Sequence, residues 1–116
     1  MDSEVRCRHI LLKHTGSRNP HDSHRNKPVT RSKDEAIKGI QDIKAQIKNE
    51  GDFIKFAEEF SECRSAANGG DLGNFGRGQM QKQFEDASFA LKVGEISDLV
   101  DSDSGIHIIL RIAWLI

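Results

Sequence analysis

Gly70-Asp-Leu-Gly-Asn-Phe-Gly-Arg-Gly-Gln-Met-Gln-Lys-Gln-Phe84 is the stretch on which the fold turns. Five of the ten residues from Gly69 to Gly78 are glycine, too dense for a helix, where each costs roughly 0.5–1 kcal/mol relative to alanine. The segment therefore reads as a turn entering a short strand over Asp71–Phe75 with a tight exit. Beyond it, Phe84, Ala87, Ser88 and Leu91 mark one face of a short helix that Gly94 ends.

Working outward, Val5 to His14 alternates, with Val5, Cys7, His9 and Leu11 on one face and Arg6, Arg8 and Ile10 on the other, the pattern of a strand. Thr15 to Thr30 has no apolar period and the composition of a loop, which we expect to be basic and flexible over residues 15–31. Ser32-Lys-Asp-Glu35 is a capping box that opens a helix striped by Ile37, Ile40, Ile43 and Ile47, with Gly51 as its stop. Asp52 then caps a second helix carrying Phe53, Phe56, Ala57 and Phe60 on one side, and a further helical turn is expected near Arg64 to Asn68. Near the end, Leu99–Val100 and Gly105–Leu115 form two strands joined by the polar turn Asp101-Ser-Asp-Ser104. Strands and helices in this order predict an α+β layer with mostly antiparallel pairing.

A chain of 116 residues supports one domain, residues 1–116, without disulfide or metal staples. Cys7 and Cys63 lack metal-ligand spacing, and two thiols behind the acidic start Met1-Asp-Ser-Glu point to free thiols in a reducing compartment. The longest apolar run, Ile106 to Ile116, is broken by His107 and Arg111 and is too short to span a bilayer. A soluble intracellular protein with no membrane partner is expected. The net charge of −1 conceals a gradient: residues 1–33 hold eight Lys/Arg against three Asp/Glu, and the remainder nine against fifteen. This +5 end attracts anions of some kind, and charge alone does not choose among nucleic acid, membrane phosphates and phosphorylated peptides.

The glycine-rich stretch and Asp103-Ser-Gly-Ile-His-Ile-Ile-Leu110 together resemble the signature of the parvulin prolyl isomerases. Further matches are Arg8-His9-Ile-Leu-Leu-Lys-His14, Phe60-Ser-Glu-Cys63 and Phe84-Glu-Asp-Ala-Ser-Phe-Ala-Leu91, so the likeness runs from about Arg6 to Arg111. It is greatest to the Pin-type, phosphorylation-directed branch, read here without the WW domain that some members carry. The resemblance implies a parvulin (FKBP-like) fold, a four-stranded mostly antiparallel sheet surrounded by three to four helices. It also implies peptidyl-prolyl cis-trans isomerase (rotamase) activity, with no cofactor and no metal.

Residue by residue, the family pattern implies a proline-ring pocket of Leu72, Met80 and Phe84, with Gln81 lying along the substrate backbone. Cys63 matches the active-site cysteine, His9 and His107 the paired histidines on adjacent strands, and Ser104 a hydroxyl near the carbonyl; Ser102 is a weaker candidate. Two imidazoles side by side are expected to stay neutral, one donating to the other, because like charges repel in a partly dry site. They then orient and polarise the centre, and Cys63 sets local polarity for a noncovalent twist. Lys13 and Arg18 match part of the cluster that reads a phosphate before proline, but Asn19 stands where that branch usually has another arginine. A weakened phosphate preference is therefore expected.

The implied partners are proline-containing proteins phosphorylated at Ser/Thr-Pro, met by a monomer in the cytoplasm or nucleus; nucleic acid is not expected. The alternative is a parvulin-like module that docks phosphopeptides or nucleic acid with little turnover. A cysteine hydrolase lacks a legible oxyanion hole, and His14, His21 and His24 lack the spacing of a zinc site. The glycines form no phosphate loop.

Overall fold

Alternation along the first strand creates two cores on the two faces of one sheet. The computed structural model describes residues 4–113. Strand β1 (Glu4–Leu12) sends Val5 and Cys7 into one core and Ile10 and Leu12 into the other. The last strand does the same. Counting the strands in chain order, the intervening ones are β2 (His21–Asp22), β3 (Lys27–Pro28), β4 (Asp71–Gly76) and β5 (Val100–Ser102), before β6 (Gly105–Ile112). In β6, Ile106, Ile108, Leu110 and Ile112 face one way and Ile109 the other. The sheet order is β4-β1-β6-β5 with every neighbour antiparallel, and the β1–β4 register shifts between Arg6 and Arg8.

Helices α1 (Lys33–Ala45) and α2 (Glu50–Phe60) cover one face through Ala36, Ile40, Ile43, Phe53 and Ala57. Helix α3 (Lys82–Ala90) covers the other, where Phe84 packs with Phe75, Leu91, Val100 and Ile109. Each large side chain so buried contributes about 1.5–3 kcal/mol, which is why a sheet apolar on both sides demands helices on both. Ser32 caps α1 as its sequence indicates: its hydroxyl accepts from Glu35 N–H at 3.1 Å and its own N–H donates to the Glu35 carboxylate at 2.9 Å. A 3₁₀ turn, Arg64–Asn68, leads into β4.

Several boundaries differ from the sequence reading, among them β5, in which Asp101 and Ser102 pair with Ile106 and Gly105 instead of belonging to the turn. Helix α1 stops at Ala45, and Gly51 lies in the first turn of α2 instead of ending α1. The cap of α2 is Asn49, not Asp52; its side chain accepts from Asp52 N–H at 2.8 Å, while Asp52 accepts from Lys48 N–H at 3.0 Å. These bonds start the helix earlier than an Asp52 cap would. Helix α3 likewise ends at Ala90, before Gly94. The expected strand through Leu115 is seen as far as Ile112, and residues 114–115 lie outside the described residues.

The segment with loop composition contains the ribbon β2–β3. Asp22, only 1% exposed, accepts from the N–H groups of His24 at 2.9 Å and Arg25 at 3.0 Å, and Asn26 takes a left-handed φ of 56°. Arg25 pairs with Asp22 and donates to the carbonyls of Ser61 and Glu59, so the ribbon is fastened to the end of α2. Burial alone would raise the Asp22 carboxyl, but the bonds from Arg25 and His24 hold it below the usual carboxylate range.

Candidate active site

Backbone pairing alone does not put the two central histidines opposite each other. In the β1–β6 ladder His9 pairs with Ile109 and Leu11 with His107, which makes His9 and His107 diagonal neighbours on the α3 face. Their rings stack with centroids 5.2 Å apart, and the two Nδ1 atoms approach to 3.0 Å, so one donates and the other accepts. Both are 4% exposed.

The outer nitrogens are held as well. His9 Nε2 lies 3.1 Å from the Ser65 hydroxyl, and His107 Nε2 lies 2.7 Å from the Ser102 hydroxyl, which also accepts from Ser104 N–H at 3.2 Å. A hydrogen-bonded line thus runs from the 3₁₀ turn through both imidazoles to the β5–β6 hairpin. Burial, then the charge of His9, holds His107 well below the ordinary histidine value, so His107 is neutral. Phe84 sets its ring against both imidazoles, with centroids 5.4 Å from His9 and 5.0 Å from His107.

Above this platform lies a cavity of about 350 Å³ whose walls include His9, His107, Cys63, Leu72, Met80 and Phe84. Gln81 and Ser104 close one side, joined by a hydrogen bond of 3.3 Å from the Gln81 amide to the Ser104 hydroxyl. Every residue expected around the proline ring and the reacting bond, the weaker candidate Ser102 excepted, therefore meets in one space. Leu11, Gln79 and Arg18 complete it.

Cys63 directly precedes the 3₁₀ turn and is half-buried. Burial by itself would push its thiol up from an ordinary 9.0. Hydrogen bonding and charge from His9, then the hydroxyl and backbone N–H of Ser65, outweigh that and bring it down to about 6. At neutral pH the sulfur is mostly thiolate. Cys7, buried in the core below, is pushed the other way, to about 11, by burial.

A second cavity of about 350 Å³ adjoins the first and shares Leu11, Arg18, Cys63 and Ser104 with it. It holds both residues expected to meet phosphate, Lys13 and Arg18, together with Asn19. Lys13 is only 6% exposed, and its ammonium donates to the His21 carbonyl at 2.5 Å and to the Ser23 hydroxyl at 3.3 Å. It is a cation built into the wall. Arg18 is exposed at the rim, its backbone N–H tied to the Asp103 carbonyl at 2.7 Å. A larger hollow of about 530 Å³ lies elsewhere, lined by residues such as Arg8, Glu50, Val93 and Arg111, and brings no cysteine, serine or histidine to its walls.

Ser65, Gln79, Arg64 and Leu11 meet these cavities or the histidines without being singled out as site residues in the sequence reading. Ser65 meets His9 across 56 positions of chain, a contact no local spacing signals. Ser102, ranked below Ser104 there, is the serine that holds His107.

Residues 1–112 match the family described as the PPIC-type PPIase domain. The chain is 54% identical over 114 residues to the buparvaquone-resistant peptidyl-prolyl cis-trans isomerase NIMA-interacting 1 of Theileria annulata, a span of 95% of this chain and 80% of the relative. To peptidyl-prolyl cis-trans isomerase Pin1 of Digitalis lanata it is 50% identical over 116 residues, 96% of this chain and 98% of the relative. Among solved structures, peptidyl-prolyl isomerase ESS1 from Candida albicans is similar with a TM-score of 0.88 and 36% identity, over 97% of this chain and 64% of that one.

Proposed function

Since the chain belongs to the PPIC-type, or parvulin, peptidyl-prolyl cis-trans isomerases and is a prolyl isomerase of Pin1 type, we propose that it twists phospho-Ser/Thr-Pro bonds noncovalently, with the proline ring in one cavity and the phosphate in its neighbour. The observation that carries this reading is the wall of Leu11, Arg18, Cys63 and Ser104 common to an apolar slot and a cationic one. A residue directly before proline presents its side chain to the second cavity when the ring fills the first.

The barrier to be lowered is about 18–20 kcal/mol and arises from amide resonance, which puts negative charge on the carbonyl oxygen and double-bond character into C–N. Leu72, Met80 and Phe84 grip the ring, so that rotation turns the carbonyl side of the bond. The Cys63 thiolate, lying between the two cavities, disfavours further negative charge on that oxygen and so weakens the resonance form that resists twisting. Ser104, and Gln81 beside it, hold the substrate backbone. His9 and His107 act behind the sulfur as a fixed polar support, orienting it and exchanging no proton with substrate. Lys13 and Arg18 attract the phosphoryl group, whose charge is about −1.5 to −2.

The substrates are proline-containing proteins. Among the described residues no helix is long and apolar enough to cross a membrane. Both cysteines are free, which suits a reducing compartment such as the cytoplasm or nucleus, and we read the chain as a monomer of one domain over residues 1–116. The test is exchange NMR on matched peptides with phospho-Ser-Pro, Glu-Pro and Ser-Pro at the test bond. Catalytic efficiency should fall in that order without added metal or nucleotide; equal rates on all three overturn the phosphate preference, and no rate gain at high enzyme concentration leaves a binding module.

A further inference from the structure

Arginines in this chain are almost all committed. Arg6 pairs with Asp71, Arg8 with Glu50, Arg25 with Asp22, Arg31 with Glu62 and Arg77 with Glu85, while Arg111 donates to the Leu91 carbonyl at 2.7 Å. Among the described residues the guanidinium groups of Arg18 and Arg64 alone have no carboxylate or carbonyl partner, and both line the cationic cavity beside Cys63. Among the described residues no carboxylate lines that cavity with them.

We infer that Arg64 is a specificity-determining residue of this enzyme, supplying with Arg18 the pair of guanidinium forks that hold the phosphoryl group of the substrate. The inference rests on the phosphate-directed reading given above and adds to it the residue that makes it work in this chain. Asn19, in the same wall, brings an amide and no charge. Lys13 has two of its three N–H donors already engaged, by His21 and Ser23, and is almost closed off from solvent. Neither can grip a dianion as a planar guanidinium does, through two parallel N–H bonds.

Arg18 and Arg64 enter from separate elements. Arg18 lies in the loop after β1, and Arg64 opens the 3₁₀ turn immediately after Cys63. A phosphate bound by both is therefore held from two sides, one of them the segment that carries the thiol. Both guanidiniums are exposed and unpaired in the free protein, so binding breaks no existing ion pair.

The experiment compares kcat/KM on phospho-Ser-Pro and Ser-Pro peptides for the full chain and for Arg64→Ala, Arg64→Lys and Arg64→Ala/Asn19→Arg, each variant's unmodified-peptide rate serving as its own reference. The ratio of phosphorylated to unmodified efficiency should drop about tenfold in Arg64→Ala, which is about 1.4 kcal/mol. It should recover partly in Arg64→Lys and return in the Asn19→Arg double variant, which restores a guanidinium in the same wall. The salt dependence of the ratio should flatten in Arg64→Ala. A wild-type preference that survives in Arg64→Ala within twofold overturns the assignment while leaving the phosphate-directed reading intact. A wild-type ratio of one removes that reading itself, and the role of Arg64 falls with it. Phosphopeptide titration followed by NMR gives a second readout: loss of affinity without rescue by Asn19→Arg would show a structural effect of the substitution and also refute the proposal.

Discussion

The Gly70 carbonyl accepts the backbone N–H of His9 at 3.0 Å, and a Cβ on Gly70 would lie 2.3 Å from the His9 carbonyl oxygen. Glycine is required twice over, by this approach and by a φ of +82°. Gly70→Ala must push β4 away from β1 at His9, one of the two stacked central imidazoles. Gly73 has a comparable φ of +72°, but a Cβ there meets nothing within 4 Å. Gly73→Ala should therefore cost only the left-handed backbone penalty, about 1–2 kcal/mol, whereas Gly70→Ala should cost well above that and lower activity. Urea denaturation of the two variants checks this, and equal losses would contradict it.

Removing His107 should cost stability and activity together. His107→Ala leaves His9 Nδ1 and the Ser102 hydroxyl without their buried partner, at about 1–3 kcal/mol, and each kcal/mol lowers Tm by about 4–8 °C in a domain of this size. Acidity should act through the same residue. Because the folded state holds His107 neutral well below 6.5 while the unfolded chain protonates at its ordinary value, stability is lost as pH falls below about 6.5 and is unaffected above it. The His107 ring resonances should keep their neutral positions at pH 5.5, and a midpoint near 6.5 would refute the assignment.

Cys63 and Cys7 should separate cleanly by alkylation. Iodoacetamide should modify Cys63 with a rate that is half-maximal near pH 6, while Cys7, pushed up to about 11 and buried, stays unmodified at neutral pH in the folded protein. The lowered thiol also adds stability that is fully present above about pH 9 and disappears as pH falls through about 6. If the sulfur works by its negative charge, Cys63→Asp should retain more isomerase activity than Cys63→Ala. A dead Cys63→Asp enzyme together with an acyl adduct on wild-type Cys63 by mass spectrometry would force a covalent mechanism instead.

Lys13 and Arg18 should respond differently, although both belong to the cationic cavity. Lys13→Met strands the His21 carbonyl and should cost about 1–3 kcal/mol, loosening the ribbon as well as weakening phosphate binding. Arg18→Glu changes an exposed side chain and should leave Tm within a degree or two while reducing the phosphopeptide preference about tenfold. A large Tm loss in Arg18→Glu, or none in Lys13→Met, would invert these roles.

The candidate site residues are named through the family resemblance, and the residues' own pattern adds only their placement on strand and turn. Alternation in β1 put His9 and Leu11 on the face opposite Ile10, and Leu72, Met80 and Phe84, which the resemblance implies as a proline pocket, lie within one turn and one helix start and line one cavity. What escaped depends on contacts that no spacing announces. The β2–β3 ribbon is made by Asp22 and Asn26, whose side-chain and backbone geometry leaves no apolar period. Ser65 and Arg64 read as ordinary residues of a short turn, and only the folded chain brings them beside His9 and Arg18. Lys13 was visible as a cation, but its burial depends on the ribbon folding over it.

The central β1–β6 pairing joins the beginning and end of the described chain, and the two imidazoles that meet across it are 98 positions apart. A ribosome must therefore deliver His107 before the two imidazoles can meet, so no shorter nascent chain contains the histidine pair. Ordering so much intervening chain before that contact forms slows folding relative to a helical bundle of equal length. A catalyst of slow X-Pro rotation thus brings its two central imidazoles together only once β6 has been made.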